Sequence, residues 1–430
     1  MRYSSVKLQR LKVGIKVKNI TISKKTGRKN RYFPLICSLY FNYIFQGMAA
    51  IILSQNMDAL KMQWQASTTQ VTLVMSAIGL GRIVSLYFSG YFSDKYGRKK
   101  TVIIAIVSYF IFFSGILLSP NYQIAAILAM FGGFSNAFLD TSTYPTLVEA
   151  YPSEKDNSSL SVLNKAFISL GQFILPFLTR IIITENLYYG WPFILCIVCL
   201  FANLLVLRKQ PFPPLTTVKN ETVETEIKGP EGVKFKIDGI ALLVFSFVSV
   251  SMFNIFILWI PKFGEQMNIV SQQDSLIFVS VFSIGSFVSV FLTSMIVKKG
   301  ASVTGLMVVC TGITAVSLIY MILQPTFIGL VIASLCVGIF AAGGIWQLGL
   351  ALILEFFPQR KGRITSLYSL ATSVSVMITP YITGIMAESD IRTVFWYNAS
   401  LTLIGLMATI VIAFRYKTIV KDSSVLQLDK

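Results

Sequence analysis

The chain has 430 residues, of which 54% are hydrophobic and only 13% charged, with a mean hydropathy of +0.68. That balance excludes a soluble enzyme and fits a protein that crosses a membrane many times, since twelve spans of about 20 residues each use little more than half of such a chain. The formal charge of +18 would suit a nucleic-acid partner, but the basic residues are distributed as a membrane topology requires, so that class is set aside.

Residues 1–31 contain Lys and Arg but no acid, and no apolar run precedes Phe33, so they do not read as a signal peptide. They are expected either to form a cytoplasmic tail, loosely held by anionic lipid, or to precede the native start. Twelve apolar segments follow, at about 33–56, 68–92, 101–119, 122–147, 160–184, 190–207, 237–261, 273–297, 301–323, 326–351, 364–387 and 391–414. Residues 208–236 carry Pro211, Pro213, Pro214 and mixed charge. They read as a cytoplasmic linker between six-segment halves at 32–207 and 237–414, with 415–430 a second cytoplasmic tail. Among the 37 Lys and Arg residues, only Lys61, Arg180, Lys262 and Arg392 fall on the side opposite the chain ends, and Arg82 and Lys165 fall within segments. This bias places both termini inside. Trp64, Trp191, Trp259 and Trp396 lie near outer segment ends, as an interfacial belt would. The five cysteines, at 37, 196, 199, 310 and 336, all fall in apolar runs and histidine is absent, so no disulfide framework, metal site or cofactor is expected.

Between segments 2 and 3 stands Gly90-Tyr-Phe-Ser-Asp94-Lys-Tyr-Gly97-Arg98-Lys-Lys100. Gly90 is expected to let its helix approach a neighbour and Gly97 to permit a sharp reversal. This G-x-x-x-D-K-x-G-R-K-K run resembles the loop between helices 2 and 3 of the major facilitator superfamily. The resemblance implies an all-α membrane protein with twelve transmembrane helices in two pseudo-symmetric six-helix bundles. It also implies that Asp94 and Arg98 help hold one access state shut, by pairing with helix ends nearby and in the opposite half.

An internal repeat supports duplicated halves. Leu147, Glu149, Tyr151, Pro152 and Lys155 recur at an offset of 206 as Ile353, Glu355, Phe357, Pro358 and Lys361, and the E-x-[YF]-P core resembles the same family after its spans 4 and 10. Ile174, Pro176 and Thr179 recur as Ile378, Pro380 and Thr383 at an offset of 204. Parallel halves related by an axis along the membrane normal fit both matches. Gly90, Asp94, Gly97, Arg98, Glu149 and Glu355 are therefore the candidate gating residues.

Charges in mid-membrane are costly and need a partner or a use. Three qualify: Arg82 in segment 2, Asp140 in segment 4 and Lys165 in segment 5. In the superfamily, spans 1, 4, 7 and 10 line the cavity, and Asp140 shares a helix face with Asn136, Thr143 and Tyr144. Asp140 is read as the proton-coupling carboxylate, and Arg82 or Lys165 as the anchor of an anionic substrate. The alternative is a static Arg82–Asp140 or Lys165–Asp140 pair that holds the bundle together. At the repeat offset Asp140 corresponds to Trp346 and Thr141 to Gln347, so Trp346 is a candidate aromatic wall, with Gln347 as a hydrogen-bonding neighbour. Asn42, Gln46 and Asn254 are further binding candidates, although bonding between helices is the usual fate of such amides.

The chain is expected to be a secondary transporter in the lipid bilayer, working as a monomer on a small-molecule substrate with a proton as coupling partner. No Walker pattern supplies ATP chemistry, and no enzymatic activity is expected. The run from Asn136 to Glu149 also resembles a small group of bacterial inner-membrane transporters encoded near shikimate and quinate genes, which implies uptake of a cyclic hydroxy acid across the bacterial inner membrane. A drug/proton antiporter of the same fold is one alternative; Gly171 and Pro176 keep part of that group's G-x-x-x-G-P pattern, but Leu175 replaces its second glycine. A transport-inactive sensor or scaffold is the other.

Overall fold

The computed structural model describes residues 31–151, 154–214, 230 and 232–428, so the basic tail and most of the linker lie outside the described residues. Among the described residues, twelve helices are long and apolar enough to cross a membrane. They are α1 Phe33–Gln55, α2 Thr68–Tyr96, α3 Arg98–Leu118, α4 Tyr122–Ala150, α5 Glu154–Thr184 and α6 Trp191–Lys209 in the first bundle. The second bundle holds α7 Phe235–Gln266, α8 Gln272–Lys298, α9 Val303–Leu323, α10 Phe327–Phe356, α11 Gly362–Ser389 and α12 Ile391–Ile419. An even number of crossings puts both ends of the described chain on one face, called here the terminal face; the other is the far face.

Local chemistry sets several of these boundaries. Ser67 caps α2 in a reciprocal capping box with Gln70, and Asn121, Ser302 and Thr326 cap α4, α9 and α10 with side-chain oxygens. Gly97 separates α2 from α3 with φ +97°, a backbone that only glycine adopts without strain.

The two bundles repeat one packing scheme. In the first, α1 packs on α5, α2 on α4 and α3 on α6; in the second, α7 packs on α11, α8 on α10 and α9 on α12. The bundles meet along two seams, α2 on α11 and α5 on α8. At the α2–α11 seam the backbones touch: a Cβ added to Gly79 would sit 2.4 Å from the Met377 nitrogen.

Three expectations change. Gly90 meets no neighbour, since a Cβ added there has nothing within 4 Å. Its helix approaches other helices through glycines nearer the far face instead. Trp64 and Trp259 are not interfacial anchors. Both are buried, with their indole N–H groups donating to Ser119 Oγ at 2.9 Å and Thr383 Oγ1 at 2.8 Å, while Trp191 and Trp396 are exposed. The tenth segment, expected to be continuous, is instead built from Phe327–Val337, a π-helical turn Gly338–Ala342, and Ile345–Phe356. The freed carbonyls of Ile339 and Gly343 accept the hydroxyls of Ser289 and Thr293 on α8.

Candidate functional site

Asp140 lies ten residues inside the terminal end of α4, about 15 Å deep at the helical rise. Helix spacing turns it toward α1 and α2 rather than α3. Its Oδ2 accepts Arg82 Nη2 at 3.0 Å and its Oδ1 accepts the Tyr43 hydroxyl at 3.2 Å. Tyr43 is fully buried, but the Arg82 and Asp140 side chains keep 23% and 21% of their exposure, so the pair borders open space. The Arg82 Nε is buried without a hydrogen-bond partner among the described residues. The sequence left Arg82 and Lys165 both open as the partner of Asp140; the ion pair here is with Arg82, which is compatible with a coupling role and with a static one.

The neighbouring groups divide. Asn136 accepts the Tyr109 hydroxyl at 2.6 Å, which ties α4 to α3. Asn42 donates to Ser38 and accepts from Asn203 at 2.9 Å, and it is fully buried, so it joins α1 to α6 and does not face the open space. Gln46 Oε1 is buried with no hydrogen-bond partner among the described residues. Tyr144 is 40% exposed and lies beside Asn164. Lys165 makes no ion pair among the described residues, and its Nζ stands 4.8 Å from the centre of the Phe253 ring on α7.

In the second bundle Trp346 is held by its own neighbours. Its indole N–H donates to Thr372 Oγ1 at 2.8 Å, its carbonyl accepts the Tyr368 hydroxyl, and its ring centre lies 5.3 Å from that of Tyr368. Gln347 is exposed and Asn254 half-buried, and neither side chain has a hydrogen-bond partner among the described residues. Among the described residues, no charged side chain of the second bundle pairs with Arg82 or Asp140.

On the terminal face Arg98 pairs with Asp94 at 2.6 Å and with Glu149 at 3.2 Å, and it donates to Ser93 Oγ at 2.7 Å. Ser93 in turn donates to the Thr141 carbonyl, so the loop is bound to α4, the helix that carries Asp140. Glu355 accepts the Tyr416 hydroxyl at 3.2 Å. The expected pairing of the Asp94–Arg98 loop with the opposite half does not occur here: among the described residues, every partner of these side chains lies in its own bundle.

The far face is different. Lys262 of α7 reaches Asp58 of the first bundle at 2.6 Å, Gln272 reaches the same carboxylate at 2.8 Å, and Arg180 of α5 pairs with Asp274 at 2.8 Å. The Thr69 N–H donates to Glu388 of α11 at 2.9 Å. None of these was singled out in the sequence, where loop charges served only to orient the chain. Tyr43 and Phe253 were also missed. Tyr43 could have been found from its place between Asn42 and Gln46; Phe253 carries no signal in a chain with 33 phenylalanines.

The chain has relatives that match this architecture. The Major Facilitator Superfamily profile matches residues 35–306 and 279–426. The inner membrane transport protein YdiM of Escherichia coli is 33% identical over 90% of this chain and 95% of its own length. The major facilitator-type transporter YfkL of Bacillus subtilis is 31% identical over 88% and 96%. A crystal structure of a D-xylose-proton symporter superposes with a TM-score of 0.70 at 16% identity, covering 90% of this chain and 98% of that one, which is a likeness of fold. With profile, relatives and twelve-helix architecture in agreement, this chain belongs to the major facilitator superfamily and is a multi-pass membrane transporter.

Proposed function

We propose that the protein imports a small organic anion together with a proton by alternating access, with the terminal face cytoplasmic in a bacterial inner membrane. The observation that carries this reading is the Arg82–Asp140–Tyr43 cluster, a partly exposed carboxylate at mid-membrane depth in a chain without histidine. Asp140 is the proton site. When it is ionised, it balances Arg82. When it is protonated, the guanidinium is left unbalanced in a medium where that is costly. A proton that arrives together with an anion restores neutrality, so the two are favoured as joint cargo. Because that joint cargo carries no net charge, a pH gradient drives it and the membrane potential does not: each pH unit supplies ~1.4 kcal/mol, about tenfold accumulation. A cyclic hydroxy acid is the substrate class that this site is proposed to take, with Tyr144, Gln46 and Asn254 as polar contacts and Trp346 with Gln347 on the opposite wall.

Among the described residues the ion pairs between the halves lie at the far face, which supports reading this as a state open toward the terminal face. The test is uptake into proteoliposomes of a solute panel, with and without an imposed pH gradient. Asp140→Asn is expected to abolish accumulation against a gradient while exchange between two filled compartments persists. Full gradient-driven accumulation in that variant would remove Asp140 from the coupling role.

A further inference from the structure

Two cations lie inside the first bundle, and they are not equivalent. Arg82 is held by Asp140 at 3.0 Å, so its charge is already answered. Lys165 has no carboxylate within ion-pair distance among the described residues. It shares a face of α5 with Ser169, one turn away, and Ser169 bonds Ser286 of α8 at 3.0 Å, so this face looks onto the second bundle. The ammonium accordingly rests over a ring that belongs to the other half, Phe253. An ammonium held by an aromatic face alone gains only about 0.5–2 kcal/mol, less than a charged hydrogen bond to a carboxylate offers at such a site. Asn254 follows Phe253 on α7, with its amide unbonded to any described residue. The one contact recorded for the Lys165 ammonium is thus an aromatic ring of the other half, and among the described residues no acid pairs with it.

We propose that Lys165 and Phe253 form the anion subsite: Lys165 takes the substrate carboxylate, and the Phe253 face it vacates receives the substrate's ring. Arg82 is then the proton-linked counter-charge and not the first contact. This deepens the reading of the protein as an organic-anion importer and rests on it. It also gives the ligand a mechanical role, because a molecule held by Lys165 on one half and Phe253 on the other draws the two halves together.

The experiment measures binding to the purified full-length protein in detergent, which does not require flux. The probes are acetate, benzoate, cyclohexanecarboxylate and 3,4-dihydroxybenzoate, each with its carboxamide. The wild-type protein is expected to prefer at least one carboxylate over its amide by about tenfold or more. Lys165→Met should erase that preference and Lys165→Arg should keep most of it; Phe253→Ala should weaken ring acids and leave acetate unchanged. Gel-filtration profiles identify any variant that fails to fold, and in that case Lys165→Gln replaces Lys165→Met. Retention of the carboxylate preference in a folded Lys165 variant would overturn the assignment, as would no preference for any probe in the wild type. Failure of the transport reading looks different: discrimination by Lys165 would persist while proteoliposomes showed no flux of any solute.

Discussion

The two ends of α2 behave as if they belonged to different helices. Toward the far face Thr69, Ser76 and Gly79 all touch α11: the Thr69 N–H meets Glu388, Ser76 Oγ accepts the Tyr381 N–H at 3.1 Å, and Gly79 abuts the Met377 backbone. Toward the terminal face Gly90 has no neighbour, and Tyr87, Phe88 and Tyr91 are 60% exposed or more. The seam between α5 and α8 is likewise bridged at the far end by Arg180–Asp274 and midway by Ser169–Ser286. The lesson is that polarity is used differently at the two faces. Far-face charges bridge the halves, and terminal-face charges brace each half internally. Such an arrangement lets one half rock on the other while keeping its own shape, because among the described residues the ion pairs that join the halves lie at the far face.

The strongest way to break the comparison is to place the same small change at both ends of α2. Gly79→Ala puts a methyl carbon where the Met377 backbone now stands, and neither backbone can turn aside as a flexible side chain would. Overpacking of this kind costs about 1–3 kcal/mol. Gly90→Ala meets open space and should be neutral, or stabilising by up to about 1 kcal/mol through helix propensity. Thermal unfolding of the two purified variants should therefore move in opposite directions, or Gly79→Ala alone should fall. Equal effects would mean that the two ends of α2 are packed alike.

A smaller effect is expected from Asp58→Asn, which weakens its links to both Lys262 and Gln272 across the far face. Asp58 is 40% exposed on its side chain, so screening holds the loss to about 1 kcal/mol, or roughly a fivefold change in the balance of the two access states. Spin labels at Met62 and Gln324, on the far ends of opposite bundles, should report a larger population of long distances. An unchanged distance distribution would mean that this ion pair is incidental to closure.

How much of this was legible beforehand follows from what each contact depends on. The twelve spans, the duplicated halves and the reversal at Gly97 are written in hydropathy, in an offset repeat and in one glycine, all of them local signals. Asp140 and Arg82 stood out because charge is scarce in the apolar segments. Their pairing was one of two readings, since no local signal says which of two cations reaches a carboxylate. The pairs at the far face could not be read, because Asp58 and Lys262 are ordinary loop-end charges until folding brings α7 beside the α1–α2 connection. The break in α10 was also hidden: its sequence is more apolar than that of α4, and the π-turn depends on Ser289 and Thr293 of another helix to satisfy Ile339 and Gly343. Gly90 misled for the opposite reason, since a motif suggested a close approach that tertiary structure does not make in this state.

The finest test of the far-face seam separates charge from hydrogen bonding at Glu388. Its carboxylate sits at the start of α2, where unpaired N–H groups and the helix dipole favour a negative group, and it accepts the Thr69 N–H. Glu388→Gln keeps an oxygen that can accept that bond and removes only the charge, a loss of about 0.3–1 kcal/mol. Glu388→Ala removes both. The population of the far-open state, read from the same pair of labels, should therefore rise in the order wild type, Gln, Ala, with the first step only about two- to fivefold. If Gln and Ala behave alike, the charge carries the contact. If neither differs from wild type, closure of the far face rests on Gly79 and the helix packing around it, and the polar contacts there only follow.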